Sequence, residues 1–325
     1  MSTAATYLIT AAAGNIGTEL IPLLLNDPSR PTLILPTSNA NRLSAKLPHS
    51  DDEPRVKVLE GDITDPTFVQ DTCTKYSVTA VFLCLTSEAE LFVTMNFLDA
   101  LKRSPTVKHL VYLSACGDFS LSAIEKGVLT IANAGHVVVK FIVEAKLKYG
   151  LVAPEQGGMT YTIIGPTLFF SNDLRSKKSL LEKGVFDEPI GSKGVSRVHP
   201  ADIALAANNA LIDGGKTWHG KKVMIGSRKL FTNEDIGKLW TEKLGKEVKV
   251  VGSDEKSLNA FEEHISAVKN SMWGRDMRLM YEIFEQMGFG MSDEEYAEQL
   301  KLLGKEPEDY EKWVAGVVEE WKKEV

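Results

Sequence analysis

Short apolar runs alternate, through the first half of the chain, with stretches whose apolar positions recur every three or four residues. The runs "TYLIT" (6–10), "TLILP" (32–36), "RVKVLEGD" (55–62), "AVFLCLT" (80–86), "VKHLVYLSA" (107–115) and "MTYTIIGPT" (159–167) predict six strands. The stretches between them predict helices over 15–25, 39–47, 66–75 and 88–102, then a long helical region running to Tyr149. Several strand runs are nearly all apolar, as strands must be when helices cover both faces of a parallel sheet. Repeated βα units of this length predict an α/β fold built on a doubly wound parallel sheet.

After Pro166 the pattern changes. "VHPADIALAANNALID" predicts a helix and "KKVMIG" a strand. "LFTNEDIGKLWTEKLGKEVKVV" predicts a helix capped at Thr232 or Asn233, followed by a short strand. From Ser257 onward the chain is helical and strongly charged, punctuated by Gly288 and Gly290, with a last helix starting near Pro307. The expected division is a sheet domain over 1–165 and a smaller, mostly helical substrate-binding domain over 166–325, in which 195–230 returns partly to the sheet.

Composition narrows the function classes. At 325 residues the chain exceeds what one core usually serves, which fits one large α/β unit with an appendage. A formal charge of −7, with no Lys/Arg block, disfavours direct contact with nucleic acid. Cys73, Cys84 and Cys116 stand far apart, with no CxxC and no Cys/His cluster, so neither a disulfide framework nor a metal site is expected. The N-terminus has no basic region followed by an apolar core, and no apolar run reaches membrane-spanning length. The expected setting is the cytoplasm, away from membranes.

The candidate chemistry begins at "ITAAAGNIGTEL". A strand ending at Thr10, a turn over Ala11-Ala12-Ala13-Gly14 and a helix from Asn15 would bring backbone N–H groups and a helix N-terminus to a pyrophosphate. Gly14 would let the backbone approach the phosphates, and Gly17 would let helix and strand pack closely. An alanine at position 11 is expected to enter the turn with negative φ. The alternative is an Ala-rich turn that merely connects strand to helix; its position at the first βα junction favours a dinucleotide site of the Rossmann type. The second strand ends in "LPTSNANRL", with no carboxylate to hold a free ribose diol. Thr37, Ser38, Asn39 and Arg42 suit a 2′-phosphate, so NADP is expected ahead of NAD, although a surface N-cap followed by a solvated arginine gives the same pattern. Asp62 could accept the adenine amino group with Ile63 against the ring, or serve the turn into the helix at Asp65-Pro66.

Short-chain dehydrogenases carry a tyrosine four residues before a lysine on one helix, and no tyrosine here is so placed. The comparable stretch is "HVVVKFIVEAKLK", where His136, Lys140 and Glu144 recur every fourth residue on an otherwise apolar segment. Facing a cleft, Lys140 could bond a nicotinamide ribose and, with His136, take part in proton transfer. Facing solvent, the three would form a salt-bridged ladder, with Glu144 pairing with Lys140. So β-branched a segment also fits a strand, which would put 136, 138 and 140 on one face. Leu85 and Thr86, Ser114, and Pro166-Thr167 end the fourth, fifth and sixth strands, at the carboxyl edge where open α/β sheets bind ligands. His109 reads as structural, His199 as a helix cap or cleft residue, and His219 and His264 as exposed. No Gly-x-Ser-x-Gly elbow exists.

Taken in order, "LITAAAGNIGTEL", "VLEGDITDP", "HLVYLSA", "HVVVKFIVEAKL", "YTIIGPTLFFSN", "VHPADIALAA", "LFTNEDIGKLWTEKLGKEV" and "LLGKEPEDYEKWVAGVVEEW" resemble the NmrA-like proteins, atypical relatives of the short-chain dehydrogenases. The resemblance covers nearly the whole chain. It implies a Rossmann domain, NADP, and a smaller C-terminal domain forming a cleft over the nicotinamide. It assigns the pyrophosphate to Gly14, Asn15, Ile16 and Gly17, a place at the cofactor to Lys140, and the nicotinamide's surroundings to Pro166, Thr167 and Phe169. The sequence departs from the family pattern in three places: Ala11 replaces the leading glycine, Pro36-Thr37 replaces an arginine past the second strand, and Gly165 replaces an arginine before the sixth-strand proline.

These readings converge on an NADPH-dependent oxidoreductase reducing a hydrophobic small molecule (quinone, imine, carbonyl or C=C bond). Lys140, with His136, would be catalytic, and Phe169, Phe170, Trp273 and Met277 would roof the site or else fill an ordinary core. The alternatives are a non-catalytic NADP-sensing regulator that binds a protein partner, and a redox-neutral isomerase or cyclase on the same scaffold. A homodimer through the apolar helix around Lys140 is a further expectation.

Overall fold

The computed structural model describes residues 5–47, 53–85 and 88–324. Its first half runs β1 (Thr6–Ile9), α1 (Gly17–Asn26), β2 (Thr32–Thr37), α2 (Ala40–Lys46), β3 (Val56–Glu60), α3 (Pro66–Lys75), β4 (Ala80–Leu83), α4 (Glu90–Lys102), β5 (His109–Leu113), α5 (Leu121–Glu125), α6 (Gly135–Gly150) and β6 (Thr160–Pro166). The second half runs β7 (Leu168–Phe169), a 3-10 segment (Phe170–Ser176), α7 (Lys177–Lys183), β8 (Val185–Phe186), β9 (Val195–Val198), α8 (Pro200–Asp213), β10 (Lys222–Ile225), β11 (Leu230–Phe231), α9 (Asn233–Leu244) and β12 (Lys249–Val250). Four helices finish it: α10 (Glu255–Val268), α11 (Ser271–Met287), α12 (Asp293–Leu303) and α13 (Tyr310–Lys323).

Seven strands form one sheet in the order β3-β2-β1-β4-β5-β6-β10, with all neighbours parallel. The period-2 geometry of a strand sends alternate side chains to opposite faces. Tyr7 and Ile9 of β1, Ala80 and Phe82 of β4, and Val111 and Leu113 of β5 enter the core under α1 and α8. Leu8, Val81, Leu83, Leu110 and Tyr112 enter the opposite core, under α3, α4 and α6. Both faces are therefore covered, which is why the strands read as unbroken apolar runs. Each fully buried aliphatic or aromatic side chain contributes about 1.5–3 kcal/mol relative to exposure.

The remaining elements build a third core around Trp240, Phe261, Tyr281, Phe284, Tyr310 and Trp321. A small sheet, β11-β9-β7, and the pair β12-β8 frame it. Within 195–230, β10 joins the large sheet while β9 pairs with β7 and β11. Helix α9 starts on a capping box: Thr232 Oγ1 accepts from the Asp235 N–H (3.1 Å), and Asp235 accepts from the Thr232 N–H (3.0 Å).

Two expected boundaries move. The region after β5 is not one long helix. Gly117 and Gly127 have φ of +131° and +89°, and the chain makes only α5 and a 3-10 turn (Val128–Thr130) before α6 begins at Gly135. The last helix begins at Tyr310 instead of near Pro307, because the Asp309 carboxylate caps it by accepting from the Lys312 N–H (2.8 Å). All three cysteines are free. Cys73 lies in the core beneath the sheet, and the Cys116 thiol donates to the carbonyl of Gly290 (3.4 Å). Burial pushes both thiols up to about 12. Among the described residues no helix is long and apolar enough to cross a membrane.

Candidate active site

The carboxyl ends of β1, β4, β5 and β6 meet along one edge of the sheet. At β1 the Thr10 hydroxyl is spent inside the protein, donating to the Cys84 carbonyl (3.0 Å) and accepting from the Cys84 N–H (2.8 Å). The following turn closes with the Gly14 N–H on the Ala11 carbonyl (2.9 Å). Ala11 has φ of +52°, contrary to the expected negative value. A Cβ in the left-handed region carries a steric cost that a glycine would not. Gly17 is required by space: a Cβ there would lie 2.5 Å from the carbonyl oxygens of both Ala11 and Ala12. Ile16 is buried in the core and Asn15 is exposed. No side chain caps the N-terminus of α1. Thr18 and Glu19 donate back to the carbonyls of Gly14 and Ile16 (3.0 and 3.2 Å), while among the described residues no acceptor meets the N–H groups of Asn15, Ile16 and Gly17. These, with Gly14, which lacks a side chain, form a cradle that fits a pyrophosphate.

At the end of β2 the predicted adenosine-side residues are exposed or partly so. Asn39 caps α2 by accepting from the Arg42 N–H (2.8 Å), and its own N–H donates to the Thr37 hydroxyl (3.1 Å). Ser38 and the Arg42 side chain face solvent beside them. Past β3, Asp62 accepts from the Thr64 N–H (2.8 Å) and Ile63 is half-buried, while the cap of α3 is Asp65. Thr86 lies outside the described residues.

A cavity of about 660 Å³ opens beside Ser114, Lys140, Pro166, Thr167 and Phe169, with Leu85 and Leu113 at its base. Its far wall is apolar and comes from α10 and α11: Ile265, Val268, Trp273, Met277, Met280, Ile283 and Phe284. Phe169, Trp273 and Met277 line it. Phe170 does not; it is buried in the third core against Tyr310 (5.0 Å between ring centroids) and Trp313 (5.5 Å). Gly165 is fixed by packing, since a Cβ there would come within 2.9 Å of the Ala115 carbonyl oxygen and the Met224 sulfur.

The stripe His136-Lys140-Glu144 lies on a helix, α6, and not on a strand. It is not a solvent-facing ladder. Lys140 is only 6% exposed and Glu144 8%. Each member meets a partner from a different element, and Glu144 does not pair with Lys140. His136 Nδ1 bonds the Asp276 carboxylate of α11, which also accepts from the Gly135 N–H (2.5 Å). Lys140 Nζ donates to Glu90 at the start of α4, beside the Tyr112 ring (5.3 Å), and the Tyr112 hydroxyl donates to the same carboxylate (3.2 Å). Glu144 accepts from the Ser114 hydroxyl and pairs with Lys222 of β10 (2.7 Å).

Burial dominates the electrostatics here. It pushes the Glu144 carboxyl above its ordinary value against the pull of Lys222 and Ser114, and it draws the Lys222 amine down against the pull of Glu144. Burial also works to raise Asp276, but its bonds from His136 and Gly135 hold it below the usual carboxylate range. The phenol of Tyr112 is raised far out of reach, by burial first and by Glu90 second. Glu90, Asp276, Lys222 and Arg175, which also lines the cavity, escaped the sequence reading. None lies near its partner in the chain, and no local spacing signals them. Elsewhere, His109 is buried with Nδ1 on the Thr160 hydroxyl (2.8 Å), His199 caps α8, and His219 and His264 are exposed, the last at the cavity rim.

Residues 11–211 match a family described as NAD(P)H-binding. An NAD(P)H azoreductase of Xenophilus azovorans is 24% identical over 210 residues, which is 64% of this chain and 64% of that protein, so the chain matches less than two thirds of its relative's length. The NADPH-dependent quinone oxidoreductase QOR2 of Escherichia coli, complexed with NADPH, superposes with a TM-score of 0.72 at 19% identity, over 96% of this chain and 99% of that one. The Citrobacter triphenylmethane reductase complexed with NADP(H) superposes at 0.73 and 17% identity, over 96% and 99%. NmrA, a negative transcriptional regulator, in complex with NADP, superposes at 0.70 and 14% identity, over 98% and 97%. Such identities speak for the fold. The family match begins at the Ala11 turn, runs through α8 and spans more than half of the sequence, so the chain belongs to the NAD(P)H-binding Rossmann family, with the fold of NmrA and QOR2.

Proposed function

We propose that the protein is an NADPH-dependent reductase of an apolar small molecule bearing a quinone, imine, azo, carbonyl or C=C group. The observation that carries this reading is the 660 Å³ cavity, apolar on one wall and bounded on the other by Lys140, Ser114 and the end of β6. Gly14, Asn15, Ile16 and Gly17 would hold the pyrophosphate at the uncapped start of α1. The absence of a carboxylate at the end of β2, with exposed Arg42 one turn later, supports a 2′-phosphate and hence NADP over NAD.

A reduced nicotinamide, when bound, supplies a hydride. A quinone, imine, azo, carbonyl or C=C acceptor then needs one proton, and the chain must deliver it; a cationic triphenylmethane dye takes the hydride alone. Lys140 is the donor we assign: Glu90 and Tyr112 fix its ammonium, and it lines the cavity beside Pro166 and Thr167. His136, one turn earlier and held by Asp276, is the second donor. The apolar wall excludes water, which strengthens each of these charges.

The test follows NADPH consumption at the nicotinamide absorbance band with menadione, an azo dye and a triphenylmethane dye in turn. Turnover of at least one acceptor is expected, with NADH much slower. With menadione or the azo dye, Lys140→Met should lower kcat by about 100-fold, the usual loss of a general acid. A Lys140→Met protein with undiminished kcat removes Lys140 from catalysis. Tight NADPH binding with no turnover of any acceptor replaces the reductase with the sensor.

A further inference from the structure

We propose that Arg175 binds an anionic group of the substrate, so that the molecule this cavity takes is an apolar anion, a carboxylate or sulfonate on an aromatic body. The reaction rests on the reductase reading above; the binding does not.

The charged side chains that line the cavity are all basic, and Glu90, Glu188 and Asp276 pair with three of them from outside the lining. Among the described residues, its lining carries Lys140, Arg175 and Lys269 with His136 and His264, and no Asp or Glu. This occurs in a chain of net charge −7. The pyrophosphate cradle over residues 11–17 does not line this cavity, so the cofactor's phosphates do not account for the excess. Lys140 is balanced by Glu90, and Lys269 sits over the Trp273 ring (5.1 Å) at the exposed rim. Arg175 is built differently. It ends the 3-10 segment after β7, and its Nε and Nη2 fork the carboxylate of Glu188, itself buried and bonded by the Tyr281 hydroxyl. Nη2 also donates to Tyr281 (3.0 Å).

Among the described residues no acceptor meets Nη1, and the side chain keeps 30% of its surface while Glu188 keeps 2%. Arg197, in the same core, also leaves Nε and Nη1 without an acceptor, but it pairs with Asp173 and both side chains are fully enclosed, so exposure to the chamber is what sets Arg175 apart. Arg175 instead presents one edge of a guanidinium, locked in place, to an apolar chamber. Asn172, three residues earlier, lines the cavity beside it and adds an amide. A planar cation with donors only, pre-oriented and partly desolvated, selects a carboxylate or sulfonate over a neutral group.

The experiment compares two probes with one apolar body: 1-anilinonaphthalene-8-sulfonate and uncharged N-phenyl-1-naphthylamine, titrated by fluorescence into the NADP-loaded protein. The wild type should bind the sulfonate about tenfold tighter, as one charge-assisted contact provides. Arg175→Gln combined with Glu188→Gln removes both charges without stranding the buried carboxylate, and should abolish the preference while leaving the neutral probe within about twofold. Arg175→Lys should retain part of it. Equal losses for both probes, or no loss for either, overturns the proposal. Kinetics with 1,4-naphthoquinone and its 2-sulfonate separates the two readings. An intact binding preference without turnover sinks the reductase and keeps Arg175. Turnover of both quinones with no preference does the reverse.

Discussion

At the scale of single residues, the turn after β1 holds the clearest strain. Ala11 at φ of +52° carries a cost of about 1 kcal/mol that glycine would not. Part of that gain is lost to the extra freedom glycine has when unfolded, so Ala11→Gly should stabilise the protein by roughly 0.5 kcal/mol, a rise of about 1 °C in thermal melting. NADPH affinity, read by nicotinamide fluorescence, should change less than threefold, because glycine can keep the same turn and the same backbone N–H groups (~0.6 kcal/mol at most). Gly17→Ala should do the opposite. A methyl 2.5 Å from two carbonyl oxygens must push α1 from the strand, costing about 1–3 kcal/mol and weakening NADPH binding with it. Gly14 and Gly17 were legible in the sequence because their spacing reports a backbone requirement. The positive φ of Ala11 was not, since alanine gives no sign of the conformation it has been forced to adopt.

At the scale of elements, α6 was legible as a polar stripe of period four, and its orientation was not. Amphipathicity told which residues share a face; it could not tell that the face turns inward to meet α4, α11 and β10. A double-mutant cycle tests the consequence. Glu90→Gln or Lys140→Met alone should cost about 3–5 kcal/mol by stranding a buried charge, and the pair together clearly less than the sum, measured by chemical unfolding. His109 links β5 to Thr160 of β6 and makes a pH prediction. Burial lowers its pKa to about 4 from 6.5. The folded state therefore binds this proton less readily than the unfolded chain. The stability it contributes is complete above pH 6.5 and is lost as the pH falls toward 4, by up to about 3 kcal/mol. His109→Gln should flatten the fall in unfolding midpoint between pH 7 and pH 4.5.

At the scale of the whole molecule, the cavity is a joint product of the sheet edge, which ends with β6 at Pro166, and of α10 and α11, which start only at Glu255. Alternating runs sufficed to predict the sheet, because each strand announces itself locally. The wall facing Lys140 was only partly foreseen, through Trp273 and Met277, because apolar helix positions look alike whether they fill a core or line a chamber. Trp273 makes that wall observable: it lines the cavity, and its indole N–H donates to Glu88 (2.6 Å). A bound acceptor should quench its emission, and Trp273→Phe should remove most of the ligand-induced change. The two deeply placed thiols make the molecule a pair of clocks. A small alkylating reagent should reach Cys73 only when the sheet domain opens as a whole, whereas Cys116, whose thiol rests on the Gly290 carbonyl, should become reactive each time the segment after α11 lifts. The two labelling rates, followed by mass spectrometry of the native protein, would report how often the chamber opens without the fold coming apart.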